Sequence, residues 1–332
     1  MSRRQLLNAP DDLVTEALEG LELTHPGLLR WDRELAFVER CTPARDKVGL
    51  ISGGGSGHEP LHAGFVGPGM LDVAVAGAVF ASPTALQIQA GTVAADSGRG
   101  VLQVVKNYTG DVLNFQIAAE IAADDGLTVE SVLVDDDLAT SSEQIGQGRR
   151  GTAAVLVVEK VCGAAAEEGA DLTDVAALGR RVVGQARTLS LALDACAHPG
   201  DRTPAFELPD DEVEFGVGIH GERGVSRIPF ATGDALVRQL VEPLVAELGL
   251  SRGDGVLAIV NGLGAMYPLE LSLAARALHH LLGDRGVTVA RSLVGSYVTS
   301  LDMNGLSITL VRADDELVRL WDAPVRTPVL CW

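Results

Sequence analysis

The chain has 332 residues, 47% hydrophobic and 21% charged, which argues against a disordered chain and predicts about two folded domains or one large one. Lys and Arg number 26 against 45 Asp and Glu, a formal net charge of −19, which argues against a protein built to grip a nucleic-acid backbone or an anionic lipid surface. Cys41, Cys162, Cys196 and Cys331 are scattered, with no CxxC pair, no apolar run nears the roughly 18 residues of a membrane span, and the first twelve residues lack the apolar stretch of a signal peptide. Reduced thiols and a cytoplasmic location are the expectation.

In chain order, Val48–Ile51 reads as a buried strand running into a glycine turn, and Val73–Ala76 as another strand. Ser82-Pro83 predicts a helix start, with Ser82 as cap, and the helix extends to about Ala95. Val101–Val105 reads as a strand, Val112–Ala123 as a helix and Val129–Val134 as a strand. Residues 136–151 are polar and glycine-rich (Ser141, Ser142, Gly146, Gly148) and predict a long loop, with Asp135, Asp136 and Asp137 solvated. Residues 152 to about 197 are alanine-rich and predict one or two long helices, followed by a linker at His198–Pro204. A second series follows: strands at 212–219, 256–260, 287–290 and 306–311, and helices at 234–248, 269–282 and 314–321. The alternation predicts an α/β protein of two consecutive domains, 1–190 and 191–332. Each would carry a mixed or parallel sheet flanked by helices, with a ligand site at strand ends near the domain interface.

Glycine is abundant, 38 residues, and clusters at the ends of the predicted strands. Ser52-Gly53-Gly54-Gly55-Ser56-Gly57-His58-Glu59-Pro60 lets a backbone approach a small ligand closely. It is not a phosphate loop, because no Lys-Ser/Thr pair follows, and it fits neither GxGxxG nor GxSxG. Gly55, Ser56, Gly57 and His58 are the candidate cradle; His62 reads as a surface or packing histidine. Lys106-Asn107-Tyr108-Thr109-Gly110-Asp111 ends a strand, so Lys106 and Asp111 are candidates for an oxygen-rich ligand, the alternative for Asp111 being a helix cap. Gly216-Val217-Gly218-Ile219-His220-Gly221-Glu222 exposes His220 among small neighbours, where a neutral imidazole can act as base or nucleophile. Asn261-Gly262-Leu263-Gly264 and Gly295–Gly305 read as further polar loops. No HExxH or EF-hand pattern appears, and no metal site is expected.

In this order and spacing, GGGSGHEP, KNYTGD, GIHGE, NGLG, GSYVTSLDMNG and WDAP resemble the substrate-binding K subunit of dihydroxyacetone kinases, over roughly residues 7–330. The resemblance implies a homodimer of two-domain α/β chains that binds dihydroxyacetone as a covalent hemiaminal on His220. His58 and Asp111 would contact the hydroxyl to be phosphorylated, one of them taking its proton, with Gly55, Ser56, Gly57 and Lys106 around the substrate. It also implies that Mg-ADP or Mg-ATP sits on a separate L subunit. The phosphoryl source is then either ATP or phosphoenolpyruvate through a phosphohistidine-bearing M subunit of a phosphotransferase system. Two departures from the family pattern, Arg223-Gly224 in place of Pro-Gly and Ala265–Pro268 in place of a threonine-bearing turn, leave room for a longer ketose such as erythrulose. A non-catalytic paralogue that senses the ketose or co-activates a transcription regulator is the alternative of a different class, and a free-standing nucleotide-dependent kinase is a third.

Overall fold

The computed structural model describes residues 4–43, 45–140 and 148–332; Ser141, Ser142 and Gly146 of the predicted loop lie outside them. Two compact units are present. The first is Leu7–Val134, Val155–Val183 and Arg319–Trp332; the second is the described part of Met1–Leu6 and of Asp135–Ala154 together with Gly184–Val318.

The first unit begins with α1 (Leu13–Thr24), β1 (Leu29–Asp32) and β2 (Phe37–Arg40), then β3 (Gly49–Ser56), β4 (Val73–Val79), α2 (Ala85–Ala95), β5 (Val101–Lys106), α3 (Thr109–Asp124) and β6 (Val129–Val134). The chain re-enters it with α4 (Ala154–Glu167) and α5 (Leu172–Gly184). The sheet order is β1-β2-β4-β3-β5-β6; β4, β3, β5 and β6 run parallel, and β1 and β2 close one edge antiparallel. Every residue of β3 and β5 is buried, as expected for central parallel strands covered on both faces. Ile51, Val73, Val75, Ile88, Val101 and Phe115 pack there as one apolar cluster.

The second unit holds β7 (Ala186–Asp194), β8 (Glu212–Phe215), β9 (Ser226–Pro229), α6 (Gly233–Glu247), β10 (Gly255–Gly262), α7 (Pro268–Asp284), β11 (Thr288–Gly295) and β12 (Asn304–Arg312). Its order is β11-β10-β12-β7-β8-β9, with only the β10–β11 pair parallel among the described ladders. Leu236, Leu240 and Leu244 of α6 and Leu271, Leu278 and Leu282 of α7 pack with Ile308 and Leu310 of β12 in its core. A last helix, α8 (Asp315–Asp322), follows.

Both units are α/β with mixed sheets flanked by helices, as the strand–helix alternation predicted. They interleave along the chain, however, and no single boundary near residue 190 separates them. The described part of Asp135–Ala154 belongs to the second unit and Arg319–Trp332 to the first, and residues 186–194, predicted helical, are found as β7 between β12 and β8. Alternation of Thr188 and Ser190 with Leu189 and Leu191 is a strand pattern that the surrounding alanines conceal. The His198–Pro204 segment does not separate the units either: it belongs wholly to the second, where Gln5 Nε2 donates to His198 O (3.0 Å) and Gly200 N donates to Gln5 Oε1 (2.8 Å).

Three local readings also change. The cap of α2 is Thr84, not Ser82: Thr84 Oγ1 accepts from Gln87 N while Gln87 Oε1 accepts from Thr84 N, a reciprocal capping box. Asp136 and Asp137 are buried, not solvated. Asp136 accepts from Thr152 N (2.6 Å), Thr152 Oγ1 (2.7 Å), Ala154 N (3.0 Å) and Thr188 Oγ1, which ties the start of α4 to β7. The elements α1 (although Val14, Ala17, Leu18 and Leu21 have helical spacing), β1, β2 and β9 are not among the predicted elements.

Candidate functional site

The glycine run is strand rather than loop: Gly53 and Gly54 pair in register with Val75 and Ala76 of β4. Glycine at 54 leaves room for what lies beside it, since a Cβ there would stand 2.5 Å from Lys106 Nζ and 3.4 Å from Asp111 Oδ2. The backbone of β3 therefore passes directly over the Lys106 ammonium, which donates to Gly53 O (3.2 Å).

Lys106, the last residue of β5, is fully buried and lies 3.7 Å from Asp111 Oδ2. Asp111 is not the cap of α3. Tyr108 holds that position, and Asp111 sits within the first turn, where its carboxylate is buried and favoured by the helix N-terminus. Lys106 Nζ also lies 2.7 Å from His62 Nε2, and His62 Nδ1 lies 2.6 Å from Glu159 Oε1 on α4. Burial, aided by Lys106 and His58, holds His62 well below the ordinary histidine range. The ring is then neutral with one N–H: Nε2 accepts from Lys106, and Nδ1–H donates to Glu159. Burial lowers the Lys106 ammonium, with Asp111 and Glu159 opposing, and raises the Glu159 carboxyl to about 8, with Lys106 opposing.

His62 is therefore no surface histidine; it and Glu159 are members of the cluster that the sequence reading passed over. A signal was present: Glu159-Lys160 interrupts the apolar run Ala153–Val161, and charges inside such a run need buried partners. Lys160 finds its own, donating to Leu320 O at 2.8 Å.

At the end of β3, Ser56 Oγ donates to Gly77 O (2.7 Å) and Gly57 N donates to Glu59 Oε2 (2.9 Å). His58 is fully buried and stacks on Phe80, ring centroids 5.3 Å apart and planes 22° apart. Gly54, Gly55, Ser56 and His62 line a cavity of about 440 Å³, whose far wall is the apolar face of α1 with Leu18 and Leu21. Gly55, Ser56, Gly57, His58, Lys106 and Asp111 thus all lie in the first unit, around the carboxyl ends of β3 and β5, where open parallel sheets bind ligands.

His220 belongs to the second unit, in the loop after β8, and is partly exposed. Glu222 folds back so that its Oε2 accepts from His220 N (2.8 Å). The neighbouring Arg223 turns away: its guanidinium carbon lies 5.2 Å from the Phe206 ring centroid, and Nη1 lies 3.9 Å from Glu214. Asn261 is buried; its Oδ1 accepts from Tyr297 N and Val298 N, and its Nδ2 donates to Val298 O and Ser307 Oγ. It thereby shapes the Gly295–Gly305 segment.

Fold and site together define a two-unit α/β protein with a buried lysine–histidine–carboxylate cluster beneath a glycine strand. Residues 19–329 match the Dak1 domain family. Over 326 residues the chain is 46% identical to the dihydroxyacetone-binding subunit DhaK of a PTS-dependent dihydroxyacetone kinase from Listeria innocua, covering 98% of each chain. Among solved structures, the dihydroxyacetone kinase of C. freundii in complex with AMP-PNP and Mg2+ superposes with a TM-score of 0.90 at 33% identity, over 99% of this chain and 60% of that one. A co-activator of a dihydroxyacetone kinase operon superposes equally, TM-score 0.90 at 32% identity, over 96% of this chain and 97% of its own. The chain belongs to the Dak1 family, the dihydroxyacetone-binding DhaK group of dihydroxyacetone kinases.

Proposed function

We propose that this protein is the ketose-binding subunit of a dihydroxyacetone kinase, holding dihydroxyacetone as a hemiaminal on His220 while a hydroxyl of the ketose is phosphorylated. In the covalent step a lone pair of the neutral imidazole attacks the ketone carbon, and the carbonyl π pair moves to oxygen. The proton of the other ring nitrogen ends on that oxygen, so no redox partner is needed. Glycerol has no carbonyl and cannot form the bond, which separates two near-isosteric C3 molecules more sharply than hydrogen bonds alone. His58 and Asp111 contact the terminal hydroxyl, and one of them accepts its proton as the oxygen attacks phosphorus. Lys106 sets a positive charge beside Asp111 and the ligand oxygens. Phosphoryl transfer depends mainly on such positioning and charge placement.

The observation that carries this reading is the buried Lys106–Asp111 pair beneath Gly54, in a chain 46% identical throughout to a DhaK subunit. The nucleotide, Mg-ADP or Mg-ATP, is assigned to a separate L subunit, in keeping with relatives named as the dihydroxyacetone-binding subunit of a kinase. The phosphoryl source is phosphoenolpyruvate through an M subunit, in keeping with the PTS-dependent relative, with ATP the alternative. The chain acts as a cytoplasmic homodimer.

Superposition on an operon co-activator supports a second reading, a ketose sensor that binds a regulator without turnover. The deciding experiment mixes the purified chain with an L subunit, a phosphoryl donor and dihydroxyacetone. Formation of dihydroxyacetone phosphate is expected; partner binding without product would select the sensor.

A further inference from the structure

Arg150, Glu222 and Asp137 form a hydrogen-bonded chain against the His220 loop. Residues 216–222 contain three glycines, and both Gly216 and Gly221 have positive φ (74° and 75°). Such a segment is intrinsically loose, and ordering it has a large entropic cost. Yet the attack of an imidazole on a ketone needs the ring held in one orientation.

Arg150, remote in sequence, supplies the constraint. Its Nη2 donates to Gly216 O (2.9 Å), at the start of the loop, and its Nη1 donates to Glu222 Oε1 (2.9 Å), at the end. The other oxygen of Glu222 accepts from His220 N. The guanidinium is itself anchored, because Nε donates to Asp137 Oδ2 (2.7 Å), and Asp137 is buried with its Oδ1 accepting from Ala139 N (3.0 Å). The planar fork of arginine makes these contacts from one side chain. Glycine at 218 makes room for the clamp, as a Cβ there would fall 1.7 Å from Glu222 Oε1 and 2.7 Å from Arg150 Nη1.

We propose that Arg150 and Glu222 are positioning residues for His220, an Asp137–Arg150–Glu222 clamp that fixes the glycine loop and presents the imidazole for attack on the ketose. This rests on the reading of His220 as the nucleophile. Glu222 acts through the backbone of His220, and both of its carboxylate oxygens are committed to donors. An amide of the same shape cannot serve both, because its NH2 would face either the Arg150 N–H or the His220 N–H.

The test is Glu222→Gln, with Arg150→Lys as an independent second variant. Two quantities are read by NMR: hydrogen exchange at the His220 amide, and conversion of 13C-labelled dihydroxyacetone carbonyl carbon into a tetrahedral protein-bound carbon. The expected result is His220 amide exchange faster by about tenfold and adduct at subsaturating ketose reduced by about tenfold, with a melting temperature within a few degrees of wild type. Folded variants that leave both quantities within about twofold of wild type would overturn the clamp. Should wild type itself form no tetrahedral carbon, the ketose reading fails, while amide exchange still decides whether Glu222 and Arg150 hold the loop.

Discussion

Lys106 Nζ stands 2.7 Å from His62 Nε2, so the buried ammonium leans on a neutral imidazole on one side and faces the Asp111 carboxylate on the other. Glu159 completes the row behind His62. An isolated lysine at this depth would tend to lose its proton; the Asp111 carboxylate and the imidazole acceptor oppose that loss.

The row makes stability depend on pH in a stated direction. Burial raises Glu159 in the folded state to about 8, above its ordinary value of 4.5. The folded protein then retains a proton that the unfolded chain has released, so this contribution is full below about pH 4.5 and is lost as pH rises through 8. Glu159→Gln keeps the acceptor for His62 and removes the titration. Urea melts at pH 5 and pH 9 should show wild type losing a few kcal/mol more than Glu159→Gln across that interval, on the order of 2–4 kcal/mol. Equal losses in the two proteins would contradict the assignment.

Gly54 is under a different constraint. A methyl group at that position would displace the Lys106 ammonium. Gly54→Ala should weaken ketose binding by about tenfold or more and lower stability by about 1–3 kcal/mol. Calorimetric titration with dihydroxyacetone and a thermal melt check both.

Much of this was legible before the structure. The strands entering GGGSGHEP and KNYTGD, and β6, β10 and β12, follow from short apolar runs that end in polar or glycine turns, and β3 and β5 bring Gly54, Lys106 and Asp111 together. Other features resist a linear reading. β7 is masked by alanine-rich neighbours, and its pairing with β12 is a tertiary choice that ties residue 186 to residue 311. His62 and Glu159 are 97 residues apart, so neither declares its role without the other. Asp137 looks like one of three solvated aspartates until Arg150 is seen beside it.

Asp111 and His220 should be separable in function. Asp111→Asn removes the candidate proton acceptor near Lys106 but leaves the second unit intact. Turnover with an L subunit and phosphoryl donor should fall by about 100-fold or more, while the tetrahedral ketose carbon persists on His220. Loss of the adduct in this variant would show instead that Asp111 governs ketose capture.

The central claim is a reversible bond between a His220 ring nitrogen and the ketone carbon. Intact mass under native conditions, with millimolar dihydroxyacetone at neutral pH, tests it directly. Wild type is expected to gain the mass of one ketose per chain, glycerol to add nothing, and His220→Ala to stay unmodified. A wild-type chain that gains no mass, or a His220→Ala chain that gains as much, would contradict the account.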